Sequence, residues 1–321
     1  MKRKDLCLSI LVGGVVVLAA VAVLIVTRHT RTPYPVQELV FKGESPYGEI
    51  RVVDDGGLRY LLVDGAIRAA VDTSLGAEYA TPNVNVIDVA RNFHDGPGKL
   101  LLVGLGAGSV AKHYQRAGWE VDAVEIDPLM VSVARRFFGF DSTGVRVSRM
   151  DAKEFLAAAT DTYDVIVVDA FGSSSIPFDL LTREAFGLIA SRLGAKGALV
   201  VDVRAVGWHD AIVSSLGATL ATAFPKVLAL PIAEPPDQLG NLILLALKDP
   251  FEIPGDLPLP FDRFTAEYDR FHAWENRFAP DTKGAPVFTD GRNPLGRMLK
   301  AVNVRERKQV RETFARRGAG G

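Results

Sequence analysis

The chain has 321 residues, 48% of them hydrophobic, and a formal net charge of −1. That length holds one large domain or a large one with a small one, and the near-neutral balance excludes the basic signature of a nucleic-acid-binding protein. A single cysteine, Cys7, excludes an intrachain disulfide framework and a metal cage built from cysteines.

Leu6 to Val26 carries no charged residue and is mostly Leu, Val, Ile and Ala, and about 20 such residues cross a bilayer core as a helix. Met1-Lys2-Arg3-Lys4 precedes this run, and Arg28, His29 and Arg31 follow it. The expectation is an N-terminal transmembrane anchor with its flanks over residues 1–31, hence a single-pass membrane protein. A cleavable signal peptide is the rival. Basic residues on both flanks leave the side of the soluble part open. Thr32-Pro33-Tyr34-Pro35 reads as a linker. From there to residue 74, short alternating strands break at Asp54-Asp55-Gly56-Gly57 and at Asp64-Gly65. The pattern predicts a small antiparallel β-hairpin domain over 32–74.

Residues 75–250 read as a large α/β domain. Leu75 to Phe93 is expected to be a helix, interrupted near Pro82. Lys99 to Asp127 then reads as strand, glycine-rich turn, helix and strand, with Gly104, Gly106 and Gly108 at the spacing G-x-G-x-G. Helix follows over Pro128–Phe138, strand over Val145–Ser148, helix over Ala152–Ala159, and strand over Tyr163–Val168. A helix over Leu180–Leu193, a turn at Gly194-Ala195-Lys196-Gly197, a strand over Ala198–Val203 and a helix over Trp208–Phe224 come next. Lys226–Leu230 and Asn241–Leu247 close the domain as an antiparallel pair. Strands alternating with helices predict a seven-stranded, mostly parallel sheet covered on both faces. Residues 251–321 read as a C-terminal helical extension, with a proline-rich loop over Pro250–Pro260 and helices over Phe264–Phe278 and Asn293–Arg317. The last helix carries Arg305, Arg307, Lys308, Arg311, Arg316 and Arg317, able to touch acidic lipid heads. A solvated helix face is the plainer reading.

In an open parallel sheet, ligands sit beyond the carboxyl ends of the strands. The polar residues predicted at those ends form a set: the three glycines, then Glu125 and Asp127, then Asp151 and Ala152, then Asp169. Glycines let a ligand approach the main chain, and a carboxylate roughly 20 residues further on suits a ribose hydroxyl. Asp151 could accept an adenine amino group while the Ala152 backbone donates to the ring; a plain helix N-cap is the alternative. Asp169, at the end of a central strand, could take a proton from an attacking amine or orient it.

At these residues the chain resembles the spermidine synthase family of polyamine aminopropyltransferases, over about Glu44 to Val203. LLVGLGAGSV resembles the family's cofactor loop, VEIDPLMVSVARRFF its ribose segment, RVSRMDAKEFL its adenine segment, and YDVIVVDAF the strand bearing its catalytic acid. Ser45-Pro46-Tyr47-Gly48 and Leu62-Val63-Asp64-Gly65 resemble its N-terminal hairpins. Phe288-Thr289-Asp290-Gly291-Arg292-Asn293-Pro294 is similar to a tail motif of membrane-associated bacterial members. The resemblance implies a Rossmann-like, seven-stranded fold of the S-adenosylmethionine-dependent methyltransferase type. It implies decarboxylated S-adenosylmethionine as cofactor, no metal, a small amine as acceptor, and a homodimer. Gly104, Gly106 and Gly108 would wrap the cofactor, with Glu125 and Asp127 in the ribose segment, Asp151 and Ala152 at adenine, and Asp169 as the base. Some family positions differ: Ala107 replaces an Asp in the loop, Gly172 replaces a second Asp after Asp169, and Arg68 stands where a Gln is usual. The family's Tyr-His-Glu is missing near Glu78-Tyr79.

Three other readings stay open. Methyl transfer from S-adenosylmethionine itself is one, although Leu102 stands where methyltransferases usually carry an acid. A membrane-tethered protein that holds a nucleoside without turning it over is another. A nicotinamide dehydrogenase fits less well, because G-x-G-x-x-G would need glycine at Ser109.

Overall fold

The computed structural model describes residues 37–74, 78–79, 81–169, 178–232, 236–249 and 264–318. The expected anchor, the Thr32–Pro35 linker, the Pro250–Pro260 loop and Gly172 all lie outside the described residues. Among the described residues, no helix is long and apolar enough to cross a membrane.

The N-terminal strands β1 (Glu38–Ser45), β2 (Gly48–Asp55), β3 (Leu58–Val63), β4 (Ala66–Asp72) and β5 (Glu78–Tyr79) form an antiparallel sheet in sequence order. Two-residue turns join β2 to β3 and β3 to β4, the tight connection that suits twisted strands. Alternation sorts the side chains. Ile50, Val52, Leu61, Val63, Ala69 and Val71 pack on Met130, Val133 and Phe138. Tyr60, Leu62 and Ala70 face the other way, onto Val310.

The segment expected as a helix over Leu75–Phe93 is instead broken into pieces. Its β5 pairs with β4. A short helix α1 (Asn83–Ile87) then starts after Pro82 and tightens into a 3-10 turn over Asp88–Phe93. Proline has no N–H to give and disfavours helical backbone before it, so no helix runs through this point.

The main domain continues through β6 (Lys99–Val103), α2 (Ser109–Arg116), β7 (Glu120–Val124), α3 (Pro128–Phe137), β8 (Val145–Ser148), α4 (Ala152–Ala158) and β9 (Tyr163–Val168). It ends with α5 (Arg183–Arg192), β10 (Leu193–Val206), α6 (Ala211–Leu220), β11 (Lys226–Pro231), β12 (Leu239–Leu247), α7 (Phe264–Glu275) and α8 (Leu295–Gly318). Its sheet has the order β11-β12-β10-β9-β6-β7-β8. β6 to β10 run parallel, and β12 runs antiparallel between β10 and β11. The strands read as unbroken apolar runs because both faces are covered. Leu100, Leu102, Val165 and Val167 face Tyr114 of α2 and Trp274 of α7. Leu101, Val103, Ile166 and Val168 face Leu156, Phe186, Leu216 and Leu299 from α4, α5, α6 and α8. The expected turn at 194–197 is absorbed into β10, whose pairing with β9 shifts register between Leu193 and Ala198. Asp210 caps α6, so Trp208 stays outside that helix.

Helix α8 lays Leu295, Leu299, Val302, Glu306 and Val310 inward at three- and four-residue spacing, the stripe of a helix packed on a core. Arg305, Arg307, Lys308 and Arg311 face solvent. Its start is tied down: Asn293 accepts from the Leu295 N–H at 3.0 Å and donates to the Phe178 carbonyl at 2.6 Å. Asp290 accepts from Thr182 Oγ1 at 2.7 Å and Lys153 Nζ at 2.8 Å. The 288–294 motif is therefore a clamp that holds α8 onto α4 and α5. The chain runs outward from β6 to β8 on one side and from β9 to β10 on the other. This reversal opens a crevice at the carboxyl ends of β6 and β9.

Candidate active site

A cleft of about 890 Å³, open to solvent, lies in that crevice, and Tyr47, Val63 and Arg68 of the small sheet roof it. Gly104, Gly106, Glu125, Asp127, Asp151, Ala152 and Asp169 all line it. The glycine loop divides by role. Gly104 and Gly106 have φ of 90° and 53°, and a Cβ built on Gly106 would meet nothing within 4 Å. Main chain is thus bare to the cleft there. Gly108 is a correction. It does not line the cleft; it starts α2 at φ 76°, and a Cβ on it would come within 2.6 Å of the Phe140 ring. Its lack of a side chain serves close packing. Ala107 also turns away from the cleft, into the cluster with Met130 and Phe138.

Glu125 follows β7. One carboxylate oxygen accepts from the Leu105 N–H at 3.0 Å and the other from the Asp127 N–H at 2.9 Å. Burial pushes its pKa up, and those backbone donors, with that of Gly106, only partly offset the rise. The carboxylate is held in place with lone pairs left for a ligand.

Asp127 lines the cleft as expected, and its carboxylate has partners of its own. Its carboxylate accepts from the Leu129 N–H at 2.8 Å, capping α3, and from Ser45 Oγ at 2.7 Å. Its side chain therefore ties the small sheet to the large domain, and its main-chain N–H orients Glu125. Asp151 caps α4 through one oxygen, Oδ1, which accepts from the Lys153 and Glu154 N–H groups at 2.8 and 3.0 Å. The cap and the cleft wall are the same residue, because the second oxygen lies outside the cap.

Asp169 follows β9, and its N–H donates to the Val103 carbonyl at 2.9 Å. Burial pushes its carboxyl up to about 7, helped by Asp202 and Glu125 and opposed by Arg68. Beyond Asp169 and Arg68 the cleft adjoins a second cavity of about 630 Å³, which Asn83, Asp202, Arg204 and Asn241 also line. Asp202 accepts from Asn241 at 2.8 and 3.0 Å and from Asn83 at 3.1 Å. Burial still leaves its pKa raised.

Sequence reasoning missed Asp202, Arg204 and Glu306. The signal for the first two was present: they sit two apart on β10, whose other face holds Val201 and Val203, and residues two apart share a face. Glu306 was legible as an acid at a core position of the α8 stripe. Among the described residues, no group of three or more His, Cys, Asp or Glu is placed to hold a metal ion.

The Spermine/spermidine synthase domain model matches residues 84–251. The chain is 31% identical over 174 residues to the polyamine aminopropyltransferase of Vibrio vulnificus, covering 52% of this chain and 56% of that protein. It is 24% identical over 200 residues to the spermidine synthase of Schizosaccharomyces pombe, covering 60% and 65%. With a probable polyamine aminopropyl transferase of Bifidobacterium longum it shares 29% over 156 residues, covering 48% and 32%. The chain thus spans about a third to two thirds of the length of these curated relatives. A solved probable spermidine synthase from Corynebacterium glutamicum superposes with a TM-score of 0.64 at 18% identity, covering 79% of this chain and 98% of that one. One from Thermotoga maritima gives 0.55 at 17%, covering 66% and 73%. These two likenesses show a common fold.

Proposed function

The chain belongs to the spermine/spermidine synthase domain family, and from that premise we propose that it moves an aminopropyl group from decarboxylated S-adenosylmethionine to a small amine. The observation that carries this reading is Asp169, a carboxyl raised to about 7 at the junction of the cleft and the second cavity. A base in that range is matched to removing a proton near neutral pH.

The cleft fits an adenosyl group. Glu125 accepts from ribose hydroxyls. Asp151 Oδ2 and the Ala152 N–H meet the adenine edge, and Gly104 and Gly106 leave room beside the main chain. The sulfonium of the donor supplies an already activated carbon. The residues therefore hold an in-line arrangement and take one proton. The amine nitrogen attacks the propyl carbon next to sulfur, the carbon–sulfur pair stays with sulfur to give 5′-methylthioadenosine, and the amine proton goes to Asp169.

Methyl transfer from S-adenosylmethionine is the second reading. It is favoured by the Arg68 cation on the cleft wall, which suits the carboxylate that only the undecarboxylated donor carries. The uncharged run at residues 6–26 supports a single-pass membrane anchor, and the family resemblance supports a homodimer; both belong to this proposal.

Calorimetry on the full chain with S-adenosylmethionine, its decarboxylated form and methylthioadenosine, followed by product detection with an amine panel, tests the reading. Tighter binding of the decarboxylated donor and methylthioadenosine release are expected. A preference for the carboxylated donor with methyl transfer would replace the reading. Binding without any product would make the chain a tethered nucleoside binder.

A further inference from the structure

The second cavity is lined by groups of both charges, Asp169 and Asp202 with Arg68 and Arg204. The guanidinium groups of Arg68 and Arg204 share one oxygen of a buried carboxylate, Glu306 Oε1, at 3.3 Å each. Charge-assisted contacts usually close to about 2.7–2.9 Å, so neither arginine is tightly paired. Each guanidinium has five N–H donors. Among the described residues Arg68 donates one hydrogen bond, to Glu306, and Arg204 donates one, to Asn241 Oδ1 at 2.8 Å. The Nε of both arginines and Glu306 Oε2 have no hydrogen-bond partner among the described residues. A half-satisfied buried polar network is unfavourable as it stands. Asn241 bridges the two kinds of group, donating to Asp202 while accepting from Arg204.

Acids and arginines lining one cavity suit a ligand that carries both an amine and an anion. Planar guanidinium groups fit a carboxylate. Arg204 and Asn83 line the second cavity and not the cleft that holds Glu125 and the glycine loop. That placement assigns the carboxylate to the acceptor rather than to the donor's methionine tail.

We propose that the acceptor is an amine that carries a carboxylate, a basic amino acid in zwitterionic form, with its reacting nitrogen at Asp169 and its carboxylate at Arg204 and Arg68. This rests on the reading of the cleft as a donor site. The transfer balances as before: a carbon–nitrogen bond forms, the carbon–sulfur bond breaks with its pair on sulfur, and the proton passes to Asp169. The acceptor carboxylate is unchanged.

The test uses ligand pairs that differ only in the carboxylate: ornithine against 1,4-diaminobutane and lysine against 1,5-diaminopentane. Each is titrated by calorimetry into full-chain protein saturated with methylthioadenosine, then offered with decarboxylated S-adenosylmethionine for turnover. At least one amino acid is expected to bind about tenfold tighter than its plain diamine, and Arg204→Gln is expected to erase that difference by weakening the amino acid alone. Equal or tighter binding of both plain diamines overturns the proposal, and so does failure of all four to bind. The wild-type comparison decides this even where Arg204→Gln fails to fold. If Arg204→Gln weakens S-adenosylmethionine and spares every acceptor, the carboxylate belongs to the donor and the assignment falls. Discrimination in binding with no product from any amine would sink aminopropyl transfer but leave the carboxylate site standing. Product from plain diamines alone would do the reverse.

Discussion

Asp169 sets a measurable pH dependence. Raised from 3.8 to about 7, it acts as a base only when ionised, so kcat/KM is expected to fall below about pH 7 and not near the ordinary carboxylate range. Linkage gives a second readout. A carboxyl that holds its proton more tightly folded than unfolded contributes stability that is fully present below about pH 4 and is lost as pH rises through about 7. Asp169→Asn is therefore expected to abolish turnover, keep methylthioadenosine binding, and gain in Tm relative to the wild type between about pH 4 and pH 7. An unchanged Tm difference across that span counts against the buried, raised carboxyl. At Glu125 the expected loss is in binding. Glu125→Ala weakens every adenosyl ligand at least tenfold, about 1.4 kcal/mol, by calorimetry, and unchanged affinities remove it from the ribose site. Glu125 and Asp127 differ in a way their spacing does not show. Both follow β7, yet Asp127 caps α3 and binds Ser45, a partner 82 residues away that local pattern does not reveal.

At the level of elements, the glycine loop illustrates what a motif conveys. The strand–turn–helix was legible from the apolar run and three glycines, but the division of labour was not. It depends on Phe140, which lies beyond α3. Gly108→Ala meets the Phe140 ring and a left-handed backbone together, so a loss of about 1–3 kcal/mol is expected in denaturant unfolding. Gly106→Ala has open space and only the backbone cost, about 1–2 kcal/mol. Its larger effect is expected on adenosyl binding, measured by calorimetry. Equal stability loss with intact binding in both variants would remove the distinction. Strands β6 to β9 were readable because burial on both faces leaves unbroken apolar runs. The stretch before β6 was misread because Pro82 and the pairing of β5 with β4 override a weak helical period. Helix α8 was found, but its inward stripe was hidden among its many basic residues.

For the whole molecule, the cleft is walled by both sheets: strand tips of the large one below, and Tyr47, Val63 and Arg68 of the small one above. A ligand held by both is expected to stabilise them as one unit. Methylthioadenosine at about 100 times its Kd should add about 2.7 kcal/mol to unfolding, seen as a shift of a single transition. A shift in only part of the transition would mean that the small sheet does not take part in binding. The seven-stranded architecture and its crevice followed from strand–helix alternation, while the second cavity did not. It is assembled from β4, the segment before α1, β10 and β12, which no local window spans.

Arg68 and Glu306 are 238 positions apart in the chain. The ribosome therefore finishes both sheets well before it makes the acid that sits between the two arginines. Through that interval the only carboxylates of the cavity beside Arg68 and Arg204, among the described residues, are Asp169 and Asp202. Docking of α8 is thus a late folding event, and the pocket reaches its working charge only after it.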